Sequence, residues 1–393
     1  MSGPAERPAA HAPLWLLAMV TFSGTLAMHV FVPALPAAAA DLGAGVATMQ
    51  MTVSLYILGL ALGQLFYGPV SDRFGRRATL MAGMALYTAA GLAAAIAPDA
   101  QALILARLLQ ALGGCAGLVL ARAIVRDVAA PTEAARRLAL MNLMVTLGPA
   151  VAPLLGSALA LHAGWRSIFV LLAGLGAANL LLTWRMLPET AARDGAVAAG
   201  ALVRNYLQLL RSPAFLGYAV GGGCATTSMY AFIAVAPFVF TRQLARPAYE
   251  VGPLLALLVL GVWAGSILAS RLVGRLPLRR LLVGANAVSV LAALLLLGVV
   301  LAGQLSVTWV VGTMFLFTLG VGTAAPAALT QAIGVNPVVI GSASGLYGFT
   351  QMAVGAACTA LAGLGPDPAL AAALVLAAAG LVAQLSFQIA TRA

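Results

Sequence analysis

Two side chains stand out as chemically active in an otherwise apolar chain. His29 lies in "LAMHVFVPALP" (26–36), four residues ahead of Pro33, and Arg107 opens "RLLQALGG" (107–114). An imidazole changes charge near neutral pH, so in an apolar setting it can load and release a proton. A guanidinium keeps its charge, and within a membrane-depth segment it marks a functional cavity or an internal partner. Steps of three and four residues put Arg107, Gln110, Gly114 and Gly117 on one helix face. With a rise of about 1.5 Å per residue, His29 lies about 22 Å along its helix from Leu14, some 8 Å short of the far edge of a ~30 Å hydrocarbon core. Arg107 enters from the opposite direction and reaches about 9 Å below that same edge. The two groups share a depth. Other chemistry is sparse: the histidines are 11, 29 and 162, with no carboxylate at ligand spacing, and Cys115, Cys224 and Cys358 sit among apolar neighbours in three different helices. No metal site, cofactor site or disulfide framework is expected, and an integral-membrane enzyme lacks its clustered nucleophile or acid pair.

The elements that must position these groups follow from composition. Of 393 residues, 62% are hydrophobic and only 8% charged, with a mean hydropathy of +1.03, whereas a globular domain carries roughly 25% charged residues. A spanning helix needs about 20 apolar residues, and twelve runs qualify: 14–36, 47–70, 77–97, 101–125, 139–161, 165–187, 214–240, 248–271, 279–301, 306–330, 340–363 and 369–390. The fold class expected is an all-α membrane protein. The net charge of +11 suggests a nucleic-acid partner only until the arginines are placed. There is no lysine, and sixteen of the 21 basic residues fall on one side if the N-terminus is cytoplasmic; only Arg166, Arg242 and Arg246 fall on the other. That asymmetry predicts both termini inside, with the lipid bilayer rather than nucleic acid as the partner. Arg7, the first apolar run and "PAAAAD" (36–41) imitate a cleavable signal peptide, but the run exceeds an h-region of roughly 7 to 15 residues.

The longest gap between apolar runs, 188–213, divides the twelve spans six and six. The expected organisation is an N-terminal bundle (1–187), a cytoplasmic linker (188–213) and a C-terminal bundle (214–393). Within the linker, "ALVRNYLQLLRS" has apolar residues at helical spacing with arginines opposite, which predicts a short helix on the membrane surface. The loops "GPVSDRFGRRATL" (68–80) and "GRLPLRRLL" (274–282) occupy matching places after the second and eighth spans and hint at an internal duplication, although the second lacks the aspartate. Paired six-helix halves with a site between them suit a rocking transporter.

"GQLFYGPVSDRFGRRATL" (63–80) resembles the loop signature of the major facilitator superfamily at Gly68, Asp72, Arg73, Gly75, Arg76 and Arg77. The resemblance implies the MFS fold, a cytoplasmic gate at this loop, and pairing of Asp72 with Arg122 or Arg126 or a place against the start of the eleventh span. The alternative is that these charges only fix topology. "RLLQALGG" is similar to the superfamily's Arg-x-x-Gln-Gly pattern with Ala111 in place of glycine. "LGPAVAPLLGS" (147–157) is similar to the Gly-Pro motif widespread among exporters, carried here by Gly148, Pro149, Pro153 and Gly156. "GWRSIF" (164–169), "FIAVAPFVF" (232–240) and "GSASGLYGFTQ" (341–351) extend the likeness, within the superfamily, to Bcr/CflA-like drug exporters of twelve helices, though Pro326 is followed by Ala327 where that group tends to have asparagine.

That group places an acid in the first span where this chain has His29, and all ten acids here lie in loops or at helix ends. Three roles stay open for His29: proton coupling in place of the acid, contact with cargo as a neutral imidazole, or hydrogen-bonded packing. Candidate cargo contacts beside His29 and Arg107 are Tyr56, Gln110, Asn142, Tyr230, Tyr347 and Gln351, a set of donors and aromatic faces. Without a central acid, a neutral or weakly anionic amphiphile such as a phenicol fits better than a lipophilic cation. The resemblance implies a monomeric exporter of small amphipathic molecules in a bacterial inner membrane, driven by the proton gradient. Uptake or facilitated diffusion of a metabolite without proton coupling is the rival.

Overall fold

A computed structural model describes residues 13–190, 199–336 and 339–390. Fifteen α-helices organise them: α1 (Leu14–Val30), α2 (Leu35–Asp41), α3 (Val46–Phe74), α4 (Arg76–Ala95), α5 (Ala100–Val128), α6 (Pro131–Ala163), α7 (Arg166–Met186), α8 (Ala199–Leu210), α9 (Pro213–Thr227), α10 (Met229–Phe238), α11 (Ala248–Leu272), α12 (Leu278–Leu301), α13 (Val307–Gly334), α14 (Ile340–Ala362) and α15 (Pro368–Ala390). Two pairs, α1–α2 and α9–α10, each make one broken span, so twelve long segments remain besides α8. Ten are long and apolar enough to cross a bilayer; α6 contributes a shorter apolar stretch, Gly148–Ala163, and α14 is interrupted by Ser342, Ser344, Thr350 and Gln351. The expected fifth span at 139–161 is longer in the structure, because Pro131 starts a helix that runs unbroken to Ala163.

Proline chemistry explains where the spans break. Pro33 has no N–H to give to the carbonyl of His29, so the α-helical ladder stops there and a 3₁₀ turn, Val32–Ala34, takes over before Pro36 restarts the helix as α2. His29 therefore sits in the last turn of a helix at mid-span. The seventh span breaks at Ser228 and ends in a π-helical turn, Val239–Gln243, just after Pro237. Elsewhere the turns are tight. Gly75, with φ of 96°, lets α3 give way at once to α4, and Gly164, with φ of 77°, does the same between α6 and α7.

α1 packs on α5, α6 and α7, while α4 packs on α5 and α7; α9 packs on α13, α14 and α15, while α13 packs on α11 and α12. Glycines let these helices approach: a Cβ on Gly113 would lie 2.8 Å from the Cα of Tyr87, and one on Gly322 would lie 2.9 Å from the carbonyl carbon of Val262. Close backbone approach of this kind supplies dispersion contact where lipid offers no hydrophobic drive. Two long seams, α3–α14 and α6–α11, join the two sets. The helix expected in the linker is present as α8, which rests on α9 and α14 and exposes Val203, Leu207 and Leu210. Asp194 and the other residues between 190 and 199 lie outside the described residues, as do 1–12 and 391–393.

Candidate functional site: a split polar core and two charged faces

In the bundle of α1, α3, α4, α5 and α7, the polar groups converge on Arg107. Its side chain is 0% exposed. The guanidinium carbon lies 3.9 Å from the centre of the Tyr56 ring, 5.7 Å from that of Phe31 and 5.8 Å from that of Phe169, within the range of cation–π attraction. Nη1 donates to Gln110 Oε1 at 2.8 Å, one helical turn along α5. Nε and Nη2 have no hydrogen-bond partner, and neither has Gln110 Nε2. Around this core, the Tyr56 hydroxyl donates to the Gly24 carbonyl at 2.9 Å, the Tyr87 hydroxyl to the Ser23 carbonyl at 3.1 Å, and Asn179 Nδ2 to Ser23 Oγ at 2.5 Å. Two tyrosines and an asparagine from three helices thus fasten onto consecutive residues of α1.

The remaining candidates gather elsewhere. His29 is 5% exposed; its Nδ1 lies 2.9 Å from the Thr25 carbonyl, and its ring centre is 6.0 Å from that of Tyr230 on α10. Tyr230 in turn lies against Gly355 of α14, where an added Cβ would be 3.3 Å from its ring. Gln351 Nε2 donates to Thr226 Oγ1, and the Thr227 hydroxyl donates to the Gln351 carbonyl, both at 2.7 Å. The Tyr347 hydroxyl is buried without a partner, pressed toward Gly222 of α9, at which an added Cβ would lie 2.7 Å from it. The expected single set therefore separates. Arg107, Tyr56 and Gln110 are enclosed within α1–α7, whereas Tyr230, Tyr347 and Gln351 belong to α9–α15, and His29 bridges toward the latter. The shared depth of His29 and Arg107 does not bring them into a hydrogen bond. Asn142 lies on α6, and its side chain is outside the described residues.

At the end of the molecule carrying the glycine–arginine loop, Arg76 is the hub. It forms ion pairs with Asp72 and, at 2.9 Å, with Asp127, and its Nη1 donates to Ser71 Oγ at 2.5 Å. Glu189 accepts the backbone N–H of Arg76 at 2.8 Å and that of Arg77 at 3.3 Å, the place on a helix N-terminus where a carboxylate is favoured. Arg77 donates to the Trp184 carbonyl at 2.5 Å, and Arg73 lies over Phe74. Asp72 thus pairs not with Arg122 or Arg126 but with Arg76, one turn along, because Gly75 folds α4 back over the end of α3. Arg122 and Arg126 are exposed, and no ion pair joins either to Asp72 among the described residues. A Cβ at Gly68 would meet open space.

At the opposite end, Asp41 accepts from Arg166 and, at 3.2 Å, from Trp165 Nε1, while Arg166 also reaches the Ala97 carbonyl at 3.3 Å. Here the halves touch. A Cβ on Gly252 of α11 would come 2.7 Å from both the Pro153 carbonyl and Ser157 Cβ of α6, and one on Gly363 would approach Gln50. Gly148 lies against Phe22 and Thr25, and Gly156 against the carbonyl of Val30. The Gly-Pro segment thus clasps α1 on one side and, through Pro153, α11 on the other; Pro149 sits inside α6 between the two glycines.

Sequence reasoning missed Ser23, Tyr87, Asn179, Phe31, Phe169 and Asp41. Asn179 carried a usable signal as a lone amide in an apolar run, and Arg166 carried one for Asp41. Aromatic residues in a span read as packing and gave no signal.

A bundle of twelve long, mostly apolar helices with polar residues buried inside it and charged clusters at both ends is the architecture of a membrane transporter. The chain belongs to the Major Facilitator Superfamily, whose sequence model matches residues 17–360. It is 29% identical over 382 residues to the uncharacterized MFS-type transporter YdgK of Bacillus subtilis (strain 168), covering 95% of this chain and 94% of that one. It is 30% identical over 343 residues to a chloramphenicol resistance protein of Pseudomonas aeruginosa (86% and 80%), and 26% identical over 354 residues to multidrug transporter MdfA of Yersinia pestis bv. Antiqua (strain Angola) (89% and 87%). Among solved structures, a D-xylose-proton symporter superposes with a TM-score of 0.77 at 14% identity over 95% of this chain and 96% of that one, a likeness of fold alone.

Proposed function

We propose that this chain is a secondary active exporter of small amphipathic molecules, neutral drugs of the phenicol type among them, working by alternating access in a bacterial inner membrane. Residues 1–187 and 214–393 are the two bodies that rock, 188–213 tethers them, and both termini are cytoplasmic, in keeping with the arginine asymmetry. The protein works as a monomer and takes its energy from the proton gradient, without a bound cofactor. The observation that carries the reading is the place of His29: it sits in the last turn of α1, just before a proline break, with its ring 6.0 Å from that of Tyr230 on the other body. A proton bound or released there acts on the contact between the bodies, which is what coupling requires. Relatives named for multidrug transport and chloramphenicol resistance support export of this cargo class.

Expression in a pump-deleted bacterium, challenged with phenicols, cationic dyes, amino acids and sugars, tests cargo and direction; protection against phenicols is expected. In proteoliposomes, drug-driven proton release is expected from wild type and not from His29→Ala. Equal release from both removes His29 from coupling. A second reading, uncoupled movement of a metabolite, draws on the place of every described carboxylate at a helix end or in a loop, and a screen with no protected compound would favour it.

A further inference from the structure

Arg107 is a fixed positive charge with no ion-pair partner among the described residues. Among the described residues, every acid stands at a helix end or in a loop: Asp41, Asp72, Asp99, Asp127, Glu133, Glu189, Glu250 and Asp367. The guanidinium is 0% exposed, and three aromatic faces cover it. Rings lessen the penalty of burial, but they accept no N–H in the guanidinium plane. Nε and Nη2 of Arg107 consequently stand without acceptors, and Nε2 of Gln110, whose Oε1 meets Nη1, has none either, all three buried. The Gln110 amide nitrogen faces small residues; a Cβ on Gly91 would lie 3.2 Å from it and 3.3 Å from the Ala173 Cβ. Buried polar atoms left unmatched are costly, and here the unmatched atoms at Arg107 and Gln110 are donors only.

We propose that Arg107 and Gln110 form a binding site for a small monovalent inorganic anion, a halide such as chloride, which neutralises the arginine inside the N-terminal body. The inference rests on the transport reading and deepens it, since an anion at Arg107 would alter the field at His29, where that reading places the proton. Enclosure by Phe31, Tyr56 and Phe169 favours a compact ion over the carboxylate of a bulky cargo. The anion binds to N–H groups alone, with no bond made or broken.

The test uses purified full-length protein in detergent without drug and without a proton gradient, so transport does not enter the readout. Wild type is melted in sodium gluconate with increasing chloride or bromide at constant ionic strength. A saturable rise of about 3 °C is expected, as for any ligand that binds only the folded state, together with anomalous bromide density beside Arg107 in crystals. Gln110→Glu places a carboxylate where Gln110 Oε1 already meets the guanidinium at 2.8 Å; that variant is expected to melt at one temperature in both salts. Arg107→Gln is expected to lose the halide effect as well, but the glutamate variant decides the matter if Arg107→Gln does not fold. Salicylate serves as the organic-carboxylate probe: stabilisation by salicylate with none by halides overturns the assignment. Identical melting of wild type in gluconate and halide, or a halide response retained by Gln110→Glu, overturns it too. Failure of drug efflux with the halide response intact would remove the exporter reading and leave the site.

Discussion

The guanidinium of Arg107 lies 3.9 Å from the centre of the Tyr56 ring, and the hydroxyl of the same tyrosine donates to the Gly24 carbonyl at 2.9 Å. One side chain thus does two jobs: its face stabilises a buried cation, and its tip ties α3 to α1. Tyr56→Phe keeps the face and loses the tie, at an expected cost of about 1 kcal/mol. Tyr56→Leu also loses the ring, adding about 2 kcal/mol for a desolvated cation–π contact. Thermal unfolding in detergent should therefore rank wild type above Phe and Phe well above Leu. Equal melting of the two variants would mean that the ring face contributes nothing.

Gly252 meets Pro153 and Ser157 at the end of the molecule opposite the arginine loop. A methyl group there would press on backbone, which cannot swing aside as a side-chain tip can, so Gly252→Ala should wedge α11 from α6. Expected is a several-fold faster reaction of a cysteine at position 157 with a membrane-impermeant maleimide in Gly252→Ala than in the Gly252 parent, in a background with Cys115, Cys224 and Cys358 replaced. Unchanged labelling would show that the seam absorbs the methyl group without opening.

The helices were readable because their apolar runs are long, but the expected span 14–36 gave no break at Pro33, which ends the α-helical ladder within it. Membership of the family was readable in the residues from Gly68 to Arg77, where charges flank a tight turn that Gly75 makes with φ of 96°. Which residues face one another was not. Residue counting puts Arg107 and His29 at one depth, yet the rotation of α5 about its own axis aims one into the bundle, while that of α1 turns the other toward Tyr230 of α10. Rotation follows from small-residue contacts such as Gly113 with Tyr87, which no single helix pattern encodes. Likewise the family resemblance implies Arg122, Arg126 or the start of the eleventh span as the neighbour of Asp72, but a partner one helical turn away wins when the next helix starts at once.

Arg76 gives its Nε to Asp127 and shares its Nη1 between Asp72 and Ser71. Lysine offers one ammonium and cannot span three acceptors in this geometry. The carboxylates are partly solvated, with 30% and 25% of their side chains exposed, so each lost pair should cost no more than about 1 kcal/mol. Arg76→Lys should accordingly reach the membrane at the wild-type level and melt within a few degrees of it, but confer at most a tenth of the resistance in the pump-deleted strain. Immunoblots paired with growth inhibition measure both. Full resistance would reduce the cluster to a topology signal.

Gln50 makes the opposite case. Its amide lies buried in the α3–α14 seam beside Gly363, 1% exposed, with neither Oε1 nor Nε2 hydrogen-bonded. A neutral polar group held in this way opposes the packing that surrounds it, by about 1 to 3 kcal/mol. Leucine has similar bulk and nothing to satisfy, so Gln50→Leu should raise the melting temperature rather than lower it. Because the seam is closed at this end, the same substitution should favour that closed arrangement, and a cysteine at position 363, in the cysteine-free background, should react more slowly with an impermeant maleimide when Gln50 is replaced. If transport depends on the seam parting in each cycle, the more stable protein will turn over more slowly; a variant that melts lower than wild type would instead mean that the amide has an essential partner during the cycle.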